Sequence, residues 1–234
     1  MIHIHSLTLS HTPTHPLLEG AEAHIAAGEL VALIGRNGSG KSTLLRAMAG
    51  LGRTQGGSIG IGQVPDVSCA SPSDLARTVA LVTTERVRVT NLRCADVVAM
   101  GRAPFTNWLG RMQPSDRQAV DAALEQVGMT GFADREINSL SDGEMQRIML
   151  ARALAQDTPV ILLDEPTGFL DVTNRRTVTA LLASLAAAGK TIVFSTQEIE
   201  LAMTYATRIM LLAPPRLHLL PPDRMRTLPD FRAL

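Results

Sequence analysis

The 234-residue sequence predicts an α/β fold: a mostly parallel sheet flanked by helices, with an N-terminal antiparallel β subdomain and an inserted α-helical lobe. Three observations lead there. Short, continuously apolar runs recur at Leu30–Ile34, Val79–Val82, Val160–Leu163, 191–194 and 209–212, as strands buried on both faces require. Helical patterns over residues 115–127, 142–155 and 173–188 fall among them, the alternation that crossover helices produce. From about residue 85 to 156 no convincing strand occurs, so this stretch reads as a helical insertion between two core strands.

In chain order, Ile2, Ile4, Leu7 and Leu9 combine strand alternation with a break near Ser6, and the prolines of His11-Thr-Pro-Thr-His-Pro16 supply a turn; an early antiparallel hairpin is expected. The run Leu30–Ile34 ends at Gly35, and a glycine-rich turn leads into a helix over about 41–51. Ser115-x-x-Gln118 reads as a capping box that opens its helix. Pro214, Pro215, Pro221, Pro222 and Pro229 mark residues 214–234 as a closing hairpin and tail, leaving one domain over 1–213 with its helical lobe at about 85–156.

Composition narrows the function classes. Hydrophobic residues at 45% supply a sizeable core and argue against disorder. A formal net charge of zero provides no long-range field for nucleic acid or acidic lipid, so any anion must be met by a local site. Cys69 and Cys94 lack metal-ligand or disulfide-framework spacing, which favours a reducing compartment. With no leader-like start and no stretch of about 18 uninterrupted apolar residues, the chain is expected to be neither exported nor membrane-spanning by itself. His3 and His5 share one face of the first strand, but two histidines without a third ligand earn no metal assignment.

Gly35-Arg-Asn-Gly-Ser-Gly40-Lys41-Ser42 fits G-x-x-x-x-G-K-[ST] and stands between a buried strand and a helix, the context that gives the match weight. Gly35, Asn37, Gly38, Ser39 and Gly40 would turn backbone N–H groups toward phosphate oxygens, in the field of the helix N-terminus. Lys41 would neutralise the β- and γ-phosphates of ATP, Ser42 would give its hydroxyl to Mg²⁺, and Thr43 would support the α-phosphate. Val160-Ile-Leu-Leu-Asp164-Glu165 carries two carboxylates at the carboxyl end of a strand, where doubly wound folds place ligands. Asp164 suits Mg²⁺ through water, and Glu165 suits a general base on the attacking water. Together these features indicate a P-loop NTPase core.

Leu140-Ser-Asp-Gly-Glu144-Met-Gln-Arg147 resembles the signature motif of the ABC ATPase family, Asp164-Glu-Pro-Thr167 follows at that family's spacing, and Phe169-Leu-Asp171 resembles its D-loop. The resemblance covers nearly all of the chain, from about Leu7 to Leu212. It implies a head-to-tail homodimer that sandwiches two ATP molecules, so that the signature residues Ser141, Gly143 and Glu144 of one copy meet nucleotide on the other, with Ser141 and the Gly143 N–H at the γ-phosphate. Val97-Val-Ala-Met-Gly-Arg-Ala-Pro104, Trp108-Leu-Gly-Arg111 and Asp116-Arg117 resemble the ATPase subunits of importers for iron–siderophores, haem and cobalamin. This implies a transmembrane permease docking near residues 91–111, an external binding protein met only indirectly, and work at the cytoplasmic face of the cell membrane.

The sequence departs from the family at three places. The glutamine usual after the strand Val79–Val82, which helps bind Mg²⁺ and water, is replaced by Thr84 with Glu85 beside it. The usual switch histidine is replaced by Gln197, whose uncharged amide can donate one hydrogen bond but cannot shuttle a proton. No adenine-stacking aromatic precedes the phosphate loop, and His11 is the nearest candidate. Two functions follow: a transport ATPase, or an ATP-dependent dimerisation module with impaired hydrolysis. Action on nucleic acid has little support from a neutral chain with one compact unit.

Overall fold

The computed structural model describes residues 1–12, 15–84, 91–106, 111–168 and 170–234. The N-terminal hairpin is present: β1 (Ile2–Thr12) pairs antiparallel with β2 (His15–Ile25), and the break near Ser6 is a register shift between Ile4 and Leu7, with Ser6 at a φ of 46°. After β3 (Leu30–Ile34) and α1 (Lys41–Met48), β4 (Gly56–Ile61) returns to β1 and completes a three-stranded antiparallel sheet, order β2-β1-β4.

Next come α2 (Pro72–Thr78) and β5 (Val79–Val82), followed by a lobe built from α3 (Cys94–Ala99), a 3₁₀ turn (Met100–Phe105), α4 (Pro114–Gln126) and α5 (Asp142–Ala155). The core then resumes with β6 (Val160–Leu163), α6 (Val172–Ala187), β7 (Thr191–Ser195), α7 (Ile199–Tyr205) and β8 (Arg208–Ala213). No strand interrupts the described part of the lobe, as its sequence predicts.

The main sheet has six strands in the order β5-β6-β7-β3-β8-β9, where β9 is Arg216–Leu220. Every pairing is parallel except β8 with β9. The C-terminal segment therefore supplies an edge strand, after which α8 (Pro222–Met225) and α9 (Pro229–Arg232) follow, and Met225 is fully buried against the core. One capping assignment is corrected. Helix α4 is capped by Gln113 in a box with Asp116, not by Ser115 with Gln118. Pro114, whose fixed φ suits the first helical position, starts the helix earlier and puts Ser115 inside its first turn.

Strand β3 is buried at all five positions and divides the core. Leu30, Ala32 and Ile34 join the apolar cluster that includes α5 and α6, whereas Val31 and Leu33 join Leu44, Leu45 and Met48 of α1 and the inner face of the antiparallel sheet. Because strand residues alternate faces, one five-residue strand anchors both layers and fixes where its carboxyl end emerges.

Candidate functional site

The chain leaves β3 through the phosphate loop, and the sheet order sets β7 directly beside β3 and β6 beside β7. Since these three strands are parallel, the segments starting at Gly35, Asp164 and Thr196 leave the same edge of the sheet. Gly40 closes the loop as N-cap of α1 with a φ of 99°; a Cβ there would meet Leu17 Cδ1 of β2 at 2.7 Å, so both conformation and space call for glycine. Among the described residues no side chain caps this helix, so its first N–H groups face the loop without a side-chain acceptor there.

Lys41 is 7% exposed, and its Nζ donates to the carbonyl oxygens of Gly35 (2.9 Å) and Arg36 (3.3 Å). Burial pushes its pKa down, while the charges of Glu165 and Asp164 pull it back up. Within the loop, the buried Ser39 Oγ has no hydrogen-bond partner among the described residues. An ammonium turned onto its own loop, an unpartnered hydroxyl and an uncapped helix N-terminus form a donor-rich cradle that fits a polyphosphate.

Opposite the loop stand the two carboxylates. Asp164 is 7% exposed, its N–H donates to the Val82 carbonyl (2.8 Å), and its Oδ1 accepts from Ser195 Oγ at 2.6 Å. The same Ser195 oxygen accepts from the Glu165 N–H at 2.8 Å. Glu165 takes a φ of 46°, a left-handed conformation that non-glycine residues seldom adopt and that often marks functional sites. Its Oε1 accepts from Gln197 Nε2 at 2.8 Å, so the residue in the switch position touches the carboxylate directly.

Among the other sequence-predicted residues, Asn37 and Gly38 are exposed on the loop, Ser42 is exposed in the first turn of α1, and Thr43 beside it is half-buried. Thr84 is an exposed bend residue just beyond β5, which adjoins β6. Glu85 and Phe169 lie outside the described residues, as does the Trp108-Leu-Gly part of the Trp108-to-Arg111 motif. His11 lies on β1, and its side chain is likewise outside the description.

Ser141 caps α5 in a reciprocal box with Glu144: its N–H and Oγ each donate to Glu144 Oε2 at 2.8 Å, and its Oγ accepts from the Glu144 N–H at 3.4 Å. These bonds, the backbone one first, hold the Glu144 carboxyl below its usual pKa. Among the described residues no hydrogen bond joins Ser141, Gly143 or Glu144 to the phosphate loop.

In the lobe, the pattern Val97-Val-Ala-Met-Gly-Arg-Ala-Pro104 is largely spent on packing. Val97, Val98 and Gly101 are buried, while Arg102 donates to Asp116 (3.0 Å) and to the Ala155 carbonyl (2.7 Å). Met100 projects, 51% exposed.

Sequence reasoning missed Ser195, Arg175 and Glu198. A hydroxyl ending the strand just after the apolar run 192–194 was the available signal for Ser195, which is fully buried. Arg175 carries no local signal, because its partners lie at Leu170 and, across the fold, at Glu198.

Comparison with known proteins shows the family. A family model described as ABC transporter matches residues 18–168. The petrobactin import ATP-binding protein FpuC of Bacillus anthracis is 36% identical over 218 residues, covering 93% of this chain and 79% of that protein. The hemin import ATP-binding protein HmuV of Streptomyces coelicolor is 38% identical over 207 residues, covering 88% and 73%. Among solved structures, an inward-facing ABC transporter described as of metal-chelate type superposes with a TM-score of 0.87 at 28% identity, covering 100% of this chain and 88% of that one. A dimeric bacterial ABC transporter cassette superposes with a TM-score of 0.82 at 27% identity, covering 94% and 98%.

Proposed function

The chain belongs to the ABC transporter family as an ATP-hydrolysing subunit, and on that footing we propose that it couples ATP-driven dimer closure to uptake of an iron chelate, haem or cobalamin through a partner permease. One observation carries the chemistry: Lys41, Asp164 and Glu165 stand on one edge of the sheet, with Gln197 donating to Glu165.

Lys41 exchanges its loop carbonyls for the β- and γ-phosphates of ATP, and the N–H groups at the start of α1 complete the cradle with Gly35, Gly38 and Gly40. Ser42 and Asp164 would hold Mg²⁺, with the side-chain oxygens of Thr84 and Glu85 assigned as further donors; the ion would supply charge neutralisation at the transferring phosphoryl group. Glu165 takes a proton from the attacking water, and Gln197 keeps that carboxylate aimed through a neutral amide donor. His11 is assigned to the adenine.

The capping box at Ser141 belongs to the second copy's nucleotide. When that γ-phosphate arrives, the Ser141 hydroxyl and the Gly143 N–H turn to it and release Glu144. The dimeric cassette among the solved relatives supports such a pair. The projecting Met100 supports permease docking across residues 91–111. The permease then holds the subunit at the cytoplasmic face of the membrane, and the external binding protein is met only through it.

Gln197 favours one second reading, an ATP-dependent dimerisation module with slow hydrolysis. Steady-state ATP hydrolysis of the assembled transporter separates the two: Glu165→Gln is expected to abolish turnover that wild type and Gln197→His both show. A wild type no faster than Glu165→Gln, while still binding ATP, would leave the dimerisation module as the function.

A further inference from the structure

Arg175 stands in the first turn of α6, where a cation opposes the positive end of the helix dipole. Its guanidinium is nevertheless engaged twice: Nε donates to the Leu170 carbonyl at 2.8 Å, and Nη1 pairs with the Glu198 carboxylate. Glu198 occupies the N-cap position of α7, where a carboxylate ordinarily accepts from the helix's own N–H groups. Among the described residues it makes no such bond and reaches Arg175 instead, although it lies 23 residues along the chain. Glu198 thus forgoes its locally favoured partners for this contact, and Arg175 holds it from a position that the helix dipole disfavours.

What that contact joins gives it meaning. On one side, Leu170 and Asp171 lead into α6, and the Asp171 carboxylate caps the helix by accepting from the Asn174 N–H at 2.8 Å. On the other side, Glu198 follows Gln197, the amide that donates to Glu165. Arg175, Glu165, Gln197 and Glu198 line one cleft.

We propose that Arg175 is a positioning residue for hydrolysis: its two-pronged bond ties the segment at Leu170 and Asp171 to the loop carrying Gln197, so that movement of the first segment re-aims the Glu165 carboxylate. The inference rests on Glu165 being the base assigned above. A planar guanidinium is required, because a lysine cannot serve both acceptors from fixed, divergent donors.

The test is the Mg²⁺-ATP turnover of the assembled transporter, with thermal stability measured alongside. Arg175→Ala is expected to lower kcat on the order of ten- to a hundredfold with the KM for ATP unchanged, as loss of an alignment made only in the transition state requires. Glu198→Gln is expected to do the same, Arg175→Lys to fall between, and the Arg175→Ala/Glu198→Gln double variant to be no slower than either single one. An unchanged kcat with a lowered Tm would reduce Arg175 to a packing role, and losses that multiply in the double variant would show that the two residues act separately; either result overturns the inference. A Glu165→Gln variant run in parallel isolates the underlying reading: if it turns over normally, the base assignment fails, whatever the Arg175 cycle shows.

Discussion

Replacing Ser195 with alanine removes one oxygen from a fully buried strand end, and that oxygen makes two bonds. As donor it meets the Asp164 carboxylate at 2.6 Å; as acceptor it holds the Glu165 N–H at 2.8 Å. Loss of a bond to a charged group costs about 1.5–3 kcal/mol, and stranding a buried N–H costs about 1–3 kcal/mol. The two losses share one atom and relax together, so about 3–4 kcal/mol is expected for Ser195→Ala. The volume change is too small for a cavity to add much. Urea unfolding is the assay: with an m-value of about 2–3 kcal/mol/M, the midpoint should fall by roughly 1–2 M while m stays constant. ATP turnover should fall as well, because both carboxylates lose their common anchor. A shift below about 1 kcal/mol would refute the reasoning, since it would mean that water or another donor replaces the hydroxyl without loss.

In Gly101→Ala the new Cβ would stand 2.3 Å from the Arg152 carbonyl oxygen, a backbone atom that cannot step aside, so the 3₁₀ turn must lift from α5. Denaturant unfolding should report a loss of about 1–3 kcal/mol, the usual cost of overpacking. The Glu144 carboxyl is held below its ordinary value of 4.5 by the Ser141 N–H and hydroxyl. Its folded-state pKa is depressed, so its stabilising contribution is complete above 4.5 and is lost as pH falls through the lower folded value. Against wild type, Glu144→Gln should therefore show a Tm deficit at neutral pH that shrinks as the pH falls below the ordinary carboxyl value of 4.5; a deficit constant with pH would count against the capping box as its source.

Much of this protein was legible locally. Strands Val79–Val82 and Val160–Leu163 and helix Asp142–Ala155 have the boundaries their apolar runs and capping residues imply, because a doubly buried strand must be apolar throughout and a helix must satisfy its first N–H groups nearby. The phosphate loop was equally plain, since its chemistry resides in consecutive backbone N–H groups and needs glycines at fixed positions. The fourth strand, Gly56–Ile61, was not, because a glycine-rich edge strand with a half-exposed pattern carries little periodic signal. Ser115 does not cap its helix because two overlapping boxes compete within a few residues, and Pro114 decides between them.

The sequence by itself determined the ligand class, through a cradle of backbone donors beside one lysine, and the two carboxylates that face it. Only the tertiary structure decided how they are held. Ser195 joins Asp164 to Glu165 because β7 lies beside β6, Gln197 meets Glu165 for the same reason, and Arg175 finds Glu198 across the fold. The physical reason is one of range: backbone hydrogen bonds and caps are satisfied within a few residues and write themselves into local spacing, whereas side-chain pairs between parallel strands exist only once crossover helices have fixed the strand order.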